Sequence, residues 1–222
     1  MLKPQKSLRK RELKEDQLVT TVIKTQRYMQ EYGKQILIGV AGVVAVIALI
    51  SMVVLSKQRS NTIAYTTLTQ AEVLYLGGQL DAARQIVENM VKTYSGTDAA
   101  GIGYHTLGNL ALDTHQYDVA IENYQIYLDD YDDDPVLSAS SQAGIAACFE
   151  QQKKFTEAAD LYQAAVTANP TIFLAPQYLL NASRCFETAK DIESARTACQ
   201  QVLDQYPDSF YSQLAEMTLA RL

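Results

Sequence analysis

Apolar residues are gathered along this chain in two ways, and each predicts a different element. From Ile36 to Leu55 runs ILIGVAGVVAVIALISMVVL, twenty residues in which Ser51 is the only polar side chain. As a helix this run covers roughly 30 Å, the thickness of a bilayer's hydrocarbon core. Further on, apolar positions return every three or four residues, the spacing of amphipathic helices. Residues 35–56 therefore predict a transmembrane helix. A buried core helix rarely tolerates so uniform a surface, and a cleaved signal peptide has a short basic start and a small-residue exit. Here 35 residues precede the run and Ser56-Lys57-Gln58-Arg59 follows it, so the reading is an uncleaved anchor. Gly39, Gly42, Ala45 and Ala48 recur every three residues within it, a small-residue stripe that lets two helices approach and form a homo-oligomer.

Aligning the distal part against itself gives four matching segments: Leu80-Asp81-Ala82-Ala83, Tyr117-Asp118-Val119-Ala120, Phe155-Thr156-Glu157-Ala158 and Ile192-Glu193-Ser194-Ala195. Their last alanines are 37, 38 and 37 residues apart. Each segment reads as a helix start, with Asp, Thr or Glu near the cap and an apolar residue before it as a staple. Four residues after each alanine stand Val87, Tyr124, Tyr162 and Cys199; three further on stand Met90, Tyr127, Ala165 and Val202. That is the stripe of a buried helical face. Nine residues before each alanine come Leu74, Ala111, Phe149 and Phe186, and three before those the small residues Ala71, Gly108, Ala146 and Ser183, which let one helix pack tightly on the next. The pairs close at Tyr94-Ser95, Tyr131-Asp132, Asn169-Pro170 and Tyr206-Pro207. The fold class is all-α: one N-terminal transmembrane helix, then an α-solenoid of four helix pairs at 64–97, 101–134, 139–172 and 176–209 after a linker at 57–63. Phe210 to Leu222, with Leu214, Met217 and Leu219 on one side, suits a capping helix.

Composition is ordinary for a globular chain, 48% hydrophobic with 5 Pro and no Trp, but charge is not evenly spread. Residues 1–34 carry nine Lys or Arg and a net charge of +5; residues 60–222 carry −13. Basic residues resist translocation, so the leader stays in the cytoplasm and the helical domain lies beyond the membrane. Leu13, Leu18, Val22, Ile23 and Met29 fall near helical spacing, so the leader is either an amphipathic helix on the anionic leaflet or a disordered basic tail. The acidic domain argues against a nucleic-acid partner, which needs a basic face.

Little in the sequence builds an active site, and the chain reads as no enzyme, with no cofactor and no metal. His105 and His115, the two histidines, are ten residues apart, not at the spacing of a helical metal pair, and read as unpaired surface or groove side chains. Gly101-Ile102-Gly103 with Gly108 fails the dinucleotide fingerprint. The acids Asp129, Asp130, Asp132, Asp133 and Asp134 lack the central Gly and distal Glu of a calcium loop and read as a solvated turn. Cys148, Cys185 and Cys199 hold core-like positions as buried free thiols; in an oxidising compartment Cys185 and Cys199 have the alternative of pairing across one hairpin.

The alternation of small residue, aromatic, registered alanine, aromatic and terminal proline resembles the tetratricopeptide repeat family over residues 64–209. It departs from the family in its longer period, which lengthens the turns between repeats, and in lacking the first-helix Trp. The resemblance implies a binding surface whose first helices line a groove. It places Ile102, His105, Asn109, Leu112 and Asp113 of the second repeat there, with Gln177, Leu180, Arg184 and Glu187 of the fourth, Asn109 and Arg184 being the candidates to hold a peptide backbone or carboxylate. The full layout is similar to the ancillary subunit of the bacterial Sec translocon. That likeness implies a single-pass inner-membrane protein with a periplasmic domain, whose partners are the translocon, periplasmic chaperones and newly exported chains. An envelope-assembly or division scaffold is the other reading, to which the Tyr206-Pro207-Asp208-Ser209 ending is also similar.

Overall fold

A computed structural model describes residues 6–222, with side chains from residue 20 onward. The leader positions 1–5, and the side chains of Leu13 and Leu18, lie outside the described residues. Two units are resolved, Met1–Ser56 and Lys57–Leu222. In the first, helix α1 (Lys6–Leu76) presents its apolar run outward, with Leu37, Ile38 and Met52 each at least 70% exposed. It is long and apolar enough to cross a membrane. Residues 57–63, where the sequence reading places a linker, are helical and inside α1.

The second unit is a stack of helices: the end of α1, then α2 (Leu80–Thr93), α3 (Asp98–Asp113), α4 (Tyr117–Asp130), α5 (Pro135–Gln151), α6 (Phe155–Ala168), α7 (Ala175–Ala189), α8 (Ile192–Gln205) and α9 (Phe210–Arg221). From α2 to α9 each element packs on its sequence neighbours, as in a solenoid, and the end of α1 shares a core cluster with α2 and α3. The one-residue longer spacing between Ala120 and Ala158 is absorbed by α5, 17 residues against 16 in α3.

Each pair turns through the same device. Gly78, His115, Lys153 and Lys190 adopt φ of 75°, 60°, 63° and 72°. The amide of each bonds three residues back and the next amide five back, as in Gly78 to the Tyr75 carbonyl and Gln79 to that of Leu74, so two orphan carbonyls are satisfied. The second helix then begins at once, on Leu80, Tyr117, Phe155 and Ile192. The acids Asp81, Asp118 and Glu193 accordingly stand in the first turn, where the helix dipole favours them, and not at the cap. Of the four residues at the cap, Asp191 alone accepts with its side chain, from the Ser194 amide at 3.1 Å. The acidic stretch has a structural task too, since Asp134 caps α5 by accepting from the Val136 and Leu137 amides.

The registered alanines Ala83, Ala120, Ala158 and Ala195 are fully buried, as are Val87, Tyr124 and Cys199 behind them. The ring of Tyr124 lies against a glycine on each of two neighbouring helices. A Cβ on Gly108 of α3 would come within 2.5 Å of it, and one on Gly144 of α5 within 2.4 Å. Ser183, in the small-residue register of α7, donates to the Ala195 carbonyl at 2.9 Å and sits 3.0 Å from the Cys199 thiol. The three cysteines are free and buried, so the Cys185 to Cys199 bridge is not formed. Burial pushes the Cys148 thiol up to about 11 and that of Cys185 to about 12.

Because the Tyr124 ring has no room to retreat, Gly144→Ala is expected to destabilise the domain by about 1–3 kcal/mol. The check is the urea midpoint of the full-length protein in detergent, followed by circular dichroism, with exposed Gln151→Ala at the end of the same helix as the neutral comparison.

Candidate functional site

The sequence-predicted residues divide into two groups once placed on the helices. Ile102, Asn109, Leu112 and Asp113, on successive turns of α3, line one hollow of about 480 Å³. Its facing wall is the end of α1, which supplies Leu68, Glu72 and Tyr75. The floor is apolar, from Leu68, Ile102, Leu110 and Leu112, and the rim carries Glu72, Asn109 and Asp113. Tyr75 donates to Asp113 at 2.5 Å, and this bond is the main cause holding its phenol above the usual range. Asn109 accepts from the Tyr124 hydroxyl at 2.6 Å. Its carbonyl oxygen is thus already engaged, and its amide nitrogen is the part left for a ligand.

His105 shares the α3 face but not the hollow. It is 8% exposed, its Nδ1 lies 2.9 Å from the Ser141 hydroxyl of α5, and the rings of Tyr124 and Tyr127 pack beside it. His115, in the α3–α4 turn, has its Nδ1 3.1 Å from the Tyr117 hydroxyl. Neither histidine is the unpaired side chain of the sequence reading. Burial lowers the His105 pKa from 6.5 to about 4, so the imidazole is neutral at neutral pH.

None of the fourth-repeat candidates lines this hollow. Arg184 makes a two-pronged ion pair with Glu150, its Nη2 at 3.0 Å; Glu187 pairs with Arg221 at 2.8 Å; Gln177 accepts from the Tyr211 hydroxyl at 3.0 Å. Each bond reaches 34 residues along the chain, so these side chains tie the fourth repeat to the third and to α9. Leu180 packs against the C-terminal core. A guanidinium held by two carboxylate oxygens is a poor free hand for a ligand carboxylate.

A second hollow, of about 160 Å³, lies at the other end of α3 and also touches Ile102. Its walls include Tyr65, Leu137 and the carboxylates of Asp98, Asp133 and Asp134. Tyr65, Leu68, Glu72 and Tyr75 are absent from the sequence-derived set, although a signal for them exists. They stand 37 residues before Ile102, His105, Asn109 and Leu112, the same register one repeat earlier.

Residues 105–171 match one family model described as the tetratricopeptide repeat, and residues 177–209 match another. Among solved structures, the chain is similar to a tetratricopeptide repeat protein from Parabacteroides merdae, with 12% identity, a TM-score of 0.58, and 70% of this chain covered against 58% of that one. It therefore spans less than two thirds of that relative. It is also similar to kinesin light chain repeats of Podosopora anserina, with 15% identity, a TM-score of 0.60, and coverage of 72% and 85%. A third likeness is to PilF of Pseudomonas aeruginosa, with 17% identity, a TM-score of 0.50, and coverage of 69% and 66%. At these identities the likeness concerns the fold. No curated protein sequence matches the chain.

The buried histidine makes stability depend on pH in a defined direction. The unfolded chain takes up a proton near pH 6.5 and the folded one only near 4, so stability is full above 6.5 and falls as pH drops between the two values. The loss due to this residue should total roughly 3 kcal/mol by pH 4. Urea midpoints measured across that window should fall less in His105→Gln than in the parent protein.

Proposed function

With a domain built of tetratricopeptide repeats, a protein–protein interaction module, as the premise, we propose that this chain is a membrane-anchored docking protein. Its partner segment lies in the groove between the end of α1 and α3. The observation that carries the reading is the hollow there, where four apolar side chains form an open floor beneath a polar rim. An open apolar floor with a few polar groups at its edge suits the side chains of a partner segment.

The finer reading takes orientation from charge. Nine Lys or Arg precede the apolar run and Lys57 and Arg59 follow it, which favours a cytoplasmic N-terminus and an extracytoplasmic repeat domain. On that side of a bacterial inner membrane, the domain docks chaperones or newly exported chains beside the Sec translocon. The support for this is the layout of leader, anchor and acidic repeat domain.

Two measurements test the reading together. A C-terminal reporter active only outside the cytoplasm should be active. A photo-crosslinking residue in place of Leu112 should give adducts with a translocon subunit or periplasmic chaperone, and one in place of exposed Gln125 on α4 should not. A silent, protease-protected reporter would overturn the orientation. Adducts confined to outer-membrane-assembly or division proteins would replace the translocon by an envelope scaffold.

A further inference from the structure

The two hollows beside α3 share Ile102 and carry a marked charge pattern. Glu72 and Asp113 stand at one end, Asp98, Asp133 and Asp134 at the other, and no Lys or Arg lines either hollow. Between them the floor is aliphatic, from Leu68, Ile102 and Leu112, with Leu137 in the second hollow. Arg184, the cation among the sequence-derived groove residues, is held by Glu150 and lines neither hollow. Residues 60–222 as a whole carry −13, so their field draws cations toward an already anionic rim.

Resting on the reading that this groove docks a protein segment, we propose that its occupant is an extended peptide with an apolar middle and Lys or Arg at both ends. Asp98 and Asp113 lie at the two ends of α3, about 22 Å apart at the helical rise per residue. An extended chain covers that distance in about six or seven residues. The aliphatic floor takes the middle side chains and the two acidic ends take the cations. A segment with acidic ends meets like charge at both ends and is rejected. The Asn109 amide nitrogen, free to donate, faces the backbone of such a segment.

The experiment uses the full-length chain in neutral detergent micelles and two fluorescent octapeptides, with four leucines flanked by two arginines or by two glutamates at each end. Empty micelles serve as the blank. Glu72 and Asp133 make no other side-chain hydrogen bond or ion pair among the described residues, so Glu72→Gln combined with Asp133→Asn removes charge without removing a structural contact. Leu112→Asp tests the floor, with circular dichroism as the check on folding.

The arginine-ended peptide is expected to bind at least about tenfold more tightly than the glutamate-ended one, and to weaken as salt rises. The double variant should weaken it further, by about threefold or more. Equal binding of both peptides, lost in Leu112→Asp, would overturn the charge selection and leave the docking reading standing. Arginine-ended binding untouched by either variant would overturn the placement. No binding of either peptide, together with intact crosslinking from position 112 in cells, would overturn this occupant; loss of both would overturn the docking reading itself.

Discussion

The ring of Tyr124 rests against the backbone of two helices at once, and that contact sets the spacing of the repeats around it. Gly108 brings α3 down onto α4 within the pair, and Gly144 brings α5 onto the same ring from the next pair. One aromatic side chain therefore fixes both the distance within a repeat and the distance between repeats. Its hydroxyl cannot be left dry in such a place, and Asn109 supplies the acceptor from α3. Asn109 is fixed in turn, with its other end on the rim of the hollow. The neighbouring His105 to Ser141 contact spans the same α3–α5 boundary.

Polar side chains along the first helices serve the stack more than they serve the solvent. Glu150 to Arg184, Glu187 to Arg221 and Gln177 to Tyr211 repeat one reach along the chain in the C-terminal half. Tyr131 accepts from the Gly96 amide and Tyr206 donates to the Pro170 carbonyl, so the aromatic that ends a second helix also holds the end of the preceding one. Exposed bonds of this kind contribute little each to stability, yet they fix the rotation of one pair against the next. In the N-terminal half Tyr75 makes a comparable reach to Asp113, and no Lys or Arg joins the carboxylates that line the two hollows there.

The stacking was legible because the alanine register and the stripe behind it are one-dimensional signals with a fixed period. The turn between paired helices was not, since His115, Lys153 and Lys190 take the left-handed conformation that sequence rules reserve chiefly for Gly, as at Gly78. The surrounding bonds impose it. For the groove, position alone indicated Ile102, Asn109, Leu112 and Asp113, which do come together. Position could not show that Arg184 and Glu187 would be consumed by partners, because a bond across repeats depends on side-chain reach and not on register. Nor could it reveal that His105 is buried, since the tyrosines that cover it come from another helix.

Three thiols lie free inside the stack, none within reach of solvent. On an oxidising side of a membrane, the unfolded chain would present all three to disulfide-forming catalysts, with an odd one left over in any pairing. Folding must then outrun oxidation. A stack whose helices touch mainly their sequence neighbours is suited to that race, because short-range contacts form quickly and bury the sulfurs of the third and fourth pairs. The buried cysteines thus turn fold topology into protection against covalent misassembly, with no bridge needed to hold the finished domain.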